Sequence, residues 1–112
     1  MCDRRAHRVR VLSFSGVAVR DIGRAGRRPG EFNEPTSCAV AHGRLITAEA
    51  AGARVQVLTM AGEPLQVLPM PTVNRTPPCL HGLCLGDRER QLWVTDTDRN
   101  VLHRLAIRVY AE

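Results

Sequence analysis

The chain has 112 residues, 44% of them hydrophobic and 24% charged, with a formal net charge of +5. That length suits one ordinary domain and excludes two, and the apolar fraction excludes wholesale disorder. No apolar run approaches the roughly 18 residues that span a bilayer, so membrane partners are not expected. Every one of the 16 basic residues is arginine. The chain therefore offers no Schiff-base amine, no lysine nucleophile and no side-chain acceptor for acetyl or ubiquitin groups, while its arginines fork onto carboxylates, phosphates and aromatic faces.

Residues 1–7 read as an N-terminal tail, arginine-rich and with no signal-peptide apolar stretch behind it. The expected compartment is the cytoplasm, with the nucleus left open. Its four cysteines contain no Cys-x-x-Cys pair, and in that compartment they stay reduced. Residues 8–12 (Arg-Val-Arg-Val-Leu) alternate polar and apolar, the period of a half-buried strand, and Gly16 leads into a second short apolar segment at 17–19. A connection rich in Gly, Pro and Arg follows from Gly23 to Pro35. Strands are expected near 37–41 and 44–48, the second ending at the acidic Glu49. The strand at 54–58 (Arg-Val-Gln-Val-Leu) repeats the first one 46 residues later, and Gly62 repeats Gly16 at the same offset. A return strand lies at 65–68, and a second connection runs from Pro69 to Pro78. The same offset places Val101 in a further strand, and 92–96 (Leu-Trp-Val-Thr-Asp) matches 45–49 (Leu-Ile-Thr-Ala-Glu) with one residue of slippage. Four short strands per period of 40 to 50 residues is the pattern of a propeller blade.

The residues that carry a family resemblance run from Arg8 to Leu68. They include 8–12, Gly16, Gly23, Gly26, the string 29–35 (Pro-Gly-Glu-Phe-Asn-Glu-Pro), Val40, 45–49, 54–58 and Gly62. This string resembles the NHL repeat, whose pattern passes through a G-x-F-x-x-P-like connection, an I-x-V-A-D-like strand and an R-V-Q-V-F strand before a glycine hairpin. The likeness weakens over Cys79 to Val109. Glu49-Ala50 replaces the usual Asp-Ser or Asp-Thr, Pro69 to Pro78 lacks the G-x-F-x-x-P element, and no glycine hairpin follows Leu105. The resemblance implies an all-β fold: a partial, open β-propeller arc of about two and a half four-stranded blades across residues 8–110. The units fall at about 8–32, 33–78 and 79–110. Phe32 is expected between neighbouring blades, and Pro35 at the start of an inner strand, where its missing N–H is tolerated. Gly16 and Gly62 supply hairpin turns. Val9, Val11, Val55 and Val57 are expected to fill the space between stacked blades, and Val101 is the corresponding repeat position in the last unit. Such an arc is too short to close a ring. Its two end faces are expected to be apolar and to invite self-association, docking on another protein, or marginal stability.

Candidate chemistry is sparse. Cys79, His81 and Cys84 form a Cys-x-His-x-x-Cys cluster, read chiefly as buried cysteines rather than zinc ligands. Some NHL-fold enzymes hold zinc with channel histidines, but His7, His42, His81 and His103 do not recur at one blade position. Ser13, Ser15 and Ser37 lack a supporting His–acid pair. No catalytic residue, metal or cofactor is assigned. Glu49, Asp96 and Asp98 are read as acceptors for backbone N–H groups in the turn that follows each of them. Arg20, Arg24, Arg27 and Arg28 are candidate contacts for nucleic acid or an acidic partner, beside Arg4, Arg5, Arg8 and Arg10 near the start. The resemblance implies a non-catalytic protein-interaction module. In the RING-type ubiquitin ligases such propellers recruit substrates, so a role in ubiquitin/proteasome-dependent turnover is expected. RNA binding through an arginine-rich face is the alternative.

Overall fold

The computed structural model describes residues 1–70, 79–86, 91–96 and 101–106. All regular structure among them is β. Strands β1 (Cys2–Asp3), β2 (Arg8–Leu12) and β3 (Ala18–Ile22) form a first sheet in the order β1-β2-β3. Strands β4 (Pro35–Ala41), β5 (Arg44–Glu49), β6 (Arg54–Thr59) and β7 (Pro64–Pro69) form a second, four-stranded sheet in chain order. Strands β8 (Leu80–Leu85), β9 (Gln91–Asp96) and β10 (Val101–Ala106) form a third. Every pairing is antiparallel between chain neighbours, so each sheet is an up-and-down meander. Among the described residues no helix is long and apolar enough to cross a membrane. The stretch 1–7, expected as a tail, instead contributes β1. Cys2 lies opposite Val9 and Asp3 opposite Arg8.

The 46-residue offset is visible in the hairpins. Ser13 N–H bonds to Val17 O and Gly16 N–H to Ser13 O, and the Ser13 hydroxyl accepts from Val17 N–H. Thr59, Glu63 and Gly62 repeat each of these bonds. Gly16 and Gly62 have φ of 87° and 95°, the left-handed residue that closes a three-residue hairpin loop.

The sheets stack in sequence. Val9 and Ile22 of the first sheet, with Val11 half-buried beside them, pack on Leu45 and Leu58 of the second, and Phe32 is fully buried in that seam. On the other face of the second sheet, Ala41, Ile46, Ala48, Val55 and Val57 pack on Leu80, Leu92 and Val94 of the third. Each buried Val, Leu or Ile contributes about 1.5–3 kcal/mol, so the two seams hold the layers together. A polar tie adds to the second, where the Thr36 hydroxyl donates to Leu80 O at 2.9 Å. Pro35 begins β4, which contacts both β1 and β8. Val101 begins β10 opposite Asp96.

The outermost faces of the two outer sheets are mixed, with polar groups beside the exposed Val19 and Leu102. The outer face of the first sheet carries Asp3, Arg8, Arg10 and Asp21, linked by contacts of 3.1–3.2 Å. On the third sheet the residues facing away from the core are Trp93, Thr95, Leu102, Arg104 and Cys84, with the Arg104 guanidinium 5.8 Å from the Trp93 ring. Polar groups on the outermost faces are how repeat stacks end in water.

Antiparallel pairing sorts the connections to two ends. One end holds the β1–β2 turn (4–7), the β3–β4 connection (23–34) and the β5–β6 turn (50–53). The other holds the β2–β3, β4–β5 and β6–β7 turns, with Phe14 fully exposed among them.

Candidate functional site

The first end is built on a buried polar clamp. Glu49 ends β5 and Arg54 begins β6, directly opposite in register, and Gln56 follows two residues on. Glu49 is fully buried and bonds Arg54 Nε at 2.8 Å and Gln56 Nε2 at 2.8 Å. The remaining Arg54 donors reach the carbonyls of Arg27 (2.7 Å), Arg28 (3.2 Å) and Glu31 (2.7 Å). Gln56 donates to Glu31 O and accepts from Gly30 N–H, and Glu49 accepts from Asn33 N–H at 2.8 Å. A buried charge persists only when paired and fully hydrogen-bonded, which this network achieves. It holds the long β3–β4 connection in place. Asn33 precedes Glu49, so this carboxylate takes its N–H from the connection before the sheet and not from the turn after it. Asp96 also accepts an N–H from the residue ahead of its sheet, Cys79, at 3.2 Å, and the turn that follows Asp96 lies outside the described residues. Asp98 lies outside the described residues.

Charged and polar residues recur at the positions of the clamp, without its burial in the first sheet. Asp3, Arg8 and Arg10 stand 46 residues before Glu49, Arg54 and Gln56. In the third sheet Asp96 and His103 take the places of Glu49 and Gln56 and meet at 3.3 Å. The repeat therefore provides an internal comparison. Side chains shared between units serve the fold, and side chains peculiar to one unit are available for something else.

The β1–β2 turn is where the units diverge most. Residues 4–7 read Arg-Arg-Ala-His, and their equivalents at 50–53 read Ala-Ala-Gly-Ala. The backbone is the same at its last position, with φ of 54° at His7 and 53° at Ala53, so the turn itself needs no large side chain. Arg4, Arg5 and His7 nevertheless line, with Glu34, an open cavity of about 420 Å³. Arg4 Nε pairs with Glu34 Oε1 at 2.8 Å, and Glu34 N–H donates to His7 Nδ1 at 3.0 Å, which leaves the imidazole proton on Nε2. Among the described residues Arg5 makes no ion pair.

The sequence candidates fall partly at this site. Arg24, Arg27 and Arg28 are exposed on the clamped connection at the same end. Arg27 lines a smaller cleft of about 90 Å³ with Ala51, Gly52 and Arg54. Arg24 pairs with Glu31 at 3.0 Å. The Glu31 carboxyl sits below its usual range, first through the Arg28 backbone N–H and then through the Arg24 guanidinium. Arg20 stands apart, exposed on edge strand β3. Arg8 and Arg10 are occupied by Asp3 and Asp21. The cavity escaped sequence reading, although extending the 46-residue alignment upstream to 4–7 is the signal that finds it.

The cysteine–histidine cluster does not assemble. Cys79 Sγ is 3.4 Å from His81 Nε2, but Cys84 is exposed and bonds Leu85 O. A bulge between Leu80 and Leu83 sets Cys84 opposite Trp93 on the outward face, whereas Cys38 lies opposite Thr47 on the side of the first seam. Among the described residues no group of three or more His, Cys, Asp or Glu side chains is arranged to hold a metal. No protein-family model matches the chain, and no curated protein matches it by sequence.

Proposed function

We propose that the chain is a non-catalytic protein-interaction module, a partial arc of NHL-type blades, whose arginine-bearing end receives an acidic segment of a partner protein. The observation that carries this reading is the β1–β2 turn. A backbone that the second unit makes from Ala50, Ala51, Gly52 and Ala53 is made here from Arg4, Arg5, Ala6 and His7, around an open cavity of about 420 Å³. Arg27 and Arg28 extend the positive end on a connection whose carbonyls are clamped from beneath. Fixed arginine donors suit carboxylates because the guanidinium fork matches their two oxygens.

The placement of the described aromatic residues, Phe14, Phe32 and Trp93, favours an acidic peptide over single-stranded RNA. Base stacking needs exposed rings beside the cationic groups. Phe32 is buried, Phe14 is at the opposite end, and Trp93 is on the third sheet beside Arg104. The cysteines are free thiols, the form that a reducing cytoplasm maintains. In the NHL reading, the recruited partner belongs to ubiquitin-dependent turnover, and proximity labelling in cells enriches ubiquitin-pathway proteins over an inert control of equal charge.

The binding test uses the full chain with a fluorescent glutamate-rich peptide and, separately, a pool of single-stranded and hairpin RNAs. Peptide binding that falls at least tenfold in R4A/R5A, with an unchanged unfolding midpoint, supports the proposal. Peptide binding unaffected by R4A/R5A refutes the site. RNA binding tighter than peptide binding, weakening steeply with salt, replaces it with the nucleic-acid reading.

A further inference from the structure

Cys2 and Cys38 belong to different sheets and meet at one seam. Cys2 lies opposite Val9 on β1, so its side chain shares the face that Val9 turns toward the second sheet. Cys38 lies opposite Thr47 on β4, and β1 packs against β4. Both side chains are half-buried against the same cluster of Val9, Ile22, Phe32, Leu45 and Leu58. Each thiol is close enough to shift the ionisation of the other, Cys2 upward and Cys38 downward. The remaining cysteines are placed differently, Cys84 exposed on the outward face of the third sheet and Cys79 against His81.

We propose that Cys2 and Cys38 are an oxidant-reactive dithiol whose product is a disulfide joining the first sheet to the second. The two sulfurs divide the work. Cys38 is lowered to about 6, first by the hydrogen bond from the Cys2 thiol and further by the Met1 ammonium, against the opposing effect of burial. Cys2, as the donor of that bond, is pushed up. Cys38 is therefore the thiolate at neutral pH, and the thiolate is the nucleophile. The co-reactant is a peroxide. The Cys38 sulfur attacks one peroxide oxygen, an S–O bond forms as the O–O bond breaks, and the leaving hydroxide is protonated to water. Cys38 is then a sulfenic acid, and the hydrogen bond that held the proton on Cys2 is gone. Cys2 sulfur attacks the sulfenic sulfur, the S–O bond breaks, and a second water leaves. Two thiols are oxidised by two electrons and one hydrogen peroxide becomes two waters. The bond would pin both walls of the arginine cavity, because β1 runs directly into Arg4 and Cys38 lies four residues after Glu34.

The purified full chain is treated with hydrogen peroxide, blocked with iodoacetamide, digested with trypsin and mapped by mass spectrometry. The expected product is a dithiothreitol-sensitive link between the Cys2 and Cys38 peptides, with Cys79 and Cys84 still alkylated. C2S should abolish the link and leave Cys38 as a dimedone-trappable sulfenic acid, and C38S should abolish it without trapping Cys2. Lowering a thiol from 9.0 to about 6 raises its thiolate at pH 7 about 90-fold. The lower intrinsic nucleophilicity of that thiolate gives back all but about fourfold. Cys38 alkylation should thus be up to about fourfold slower in C2A, which leaves no side-chain donor at position 2. A link from Cys38 to Cys79 or Cys84, preferential oxidation of Cys84, or an unchanged Cys38 alkylation rate in C2A overturns the proposal.

Discussion

Arg54→Ala and Arg8→Ala are the same substitution at equivalent positions of two units, and the structure assigns them very different effects. The Arg54 side chain is 10% exposed and its partner Glu49 is 0% exposed. Removing the guanidinium leaves a buried carboxylate held only by Asn33 N–H and the Gln56 amide, and takes the donors from three carbonyls of the β3–β4 connection. Breaking one side of a buried pair costs about 3–5 kcal/mol. The Arg8 side chain is 32% exposed and pairs with Asp3 and Asp21 at 3.1–3.2 Å. Water replaces it there, and the loss is about 0–1 kcal/mol. Urea unfolding followed by circular dichroism measures both. R8A should shift the midpoint little, and less still in high salt, whereas R54A should lose most or all of the folded baseline. The double variant R54A/E49Q should recover part of the loss, because it removes the orphaned charge while keeping an amide for Asn33. Equal losses in R54A and R8A, or no recovery with E49Q, would refute the clamp.

Gly23→Ala should cost about 3 kcal/mol in the same assay, since a Cβ there would lie 2.2 Å from the Phe32 ring at φ +82°. Gly16→Ala meets open space at φ +87° and should cost only about 1 kcal/mol, so equal values would sink the packing argument. Cys38 alkylation should rise with pH through an inflection near 6, while an inflection near 9 would show that neither Cys2 nor the Met1 ammonium acts on it. Light scattering should return the monomer mass, because the Asp3, Arg8, Arg10 and Asp21 network makes the outer face of the first sheet costly to bury. A closed multimer would show that this face is an interface instead.

Much of the architecture was legible because it rests on short-range periodicity. The alternation at 8–12 and 54–58, the glycines at 16 and 62 and the offset between them lead directly to β2, β6 and their hairpins. β1 was not legible, since two residues carry no alternation and their place depends on pairing with Val9 and Arg8. The clamp was half legible. Glu49 stands out as an acid ending an apolar strand, but its partners Asn33 and Gln56 are 16 and 7 residues away, and only the pairing of β5 with β4 and β6 brings them together. The ion pairs on the outer face of the first sheet were missed for a related reason. Arg8 and Arg10 read as free surface charge until the register sets Asp3 and Asp21 beside them. The cavity at Arg4, Arg5 and His7 requires comparing two turns, and a single pass along the chain sees only a basic tail.

The clamp has a consequence for how the molecule comes apart. In a stack whose layers met only through apolar seams, the first layer could melt while the second stayed intact. Here Arg54 and Gln56 of the second layer grip the chain that leaves the first, at Arg27, Arg28 and Glu31. Melting β1 to β3 tugs on bonds that β6 must also surrender, and fraying β6 frees the segment that anchors Phe32. The nearest-neighbour coupling between layers is thereby large relative to the stability of either one. Unfolding is expected to proceed as one concerted transition, with amide protons of the first sheet and of β5 and β6 exchanging together.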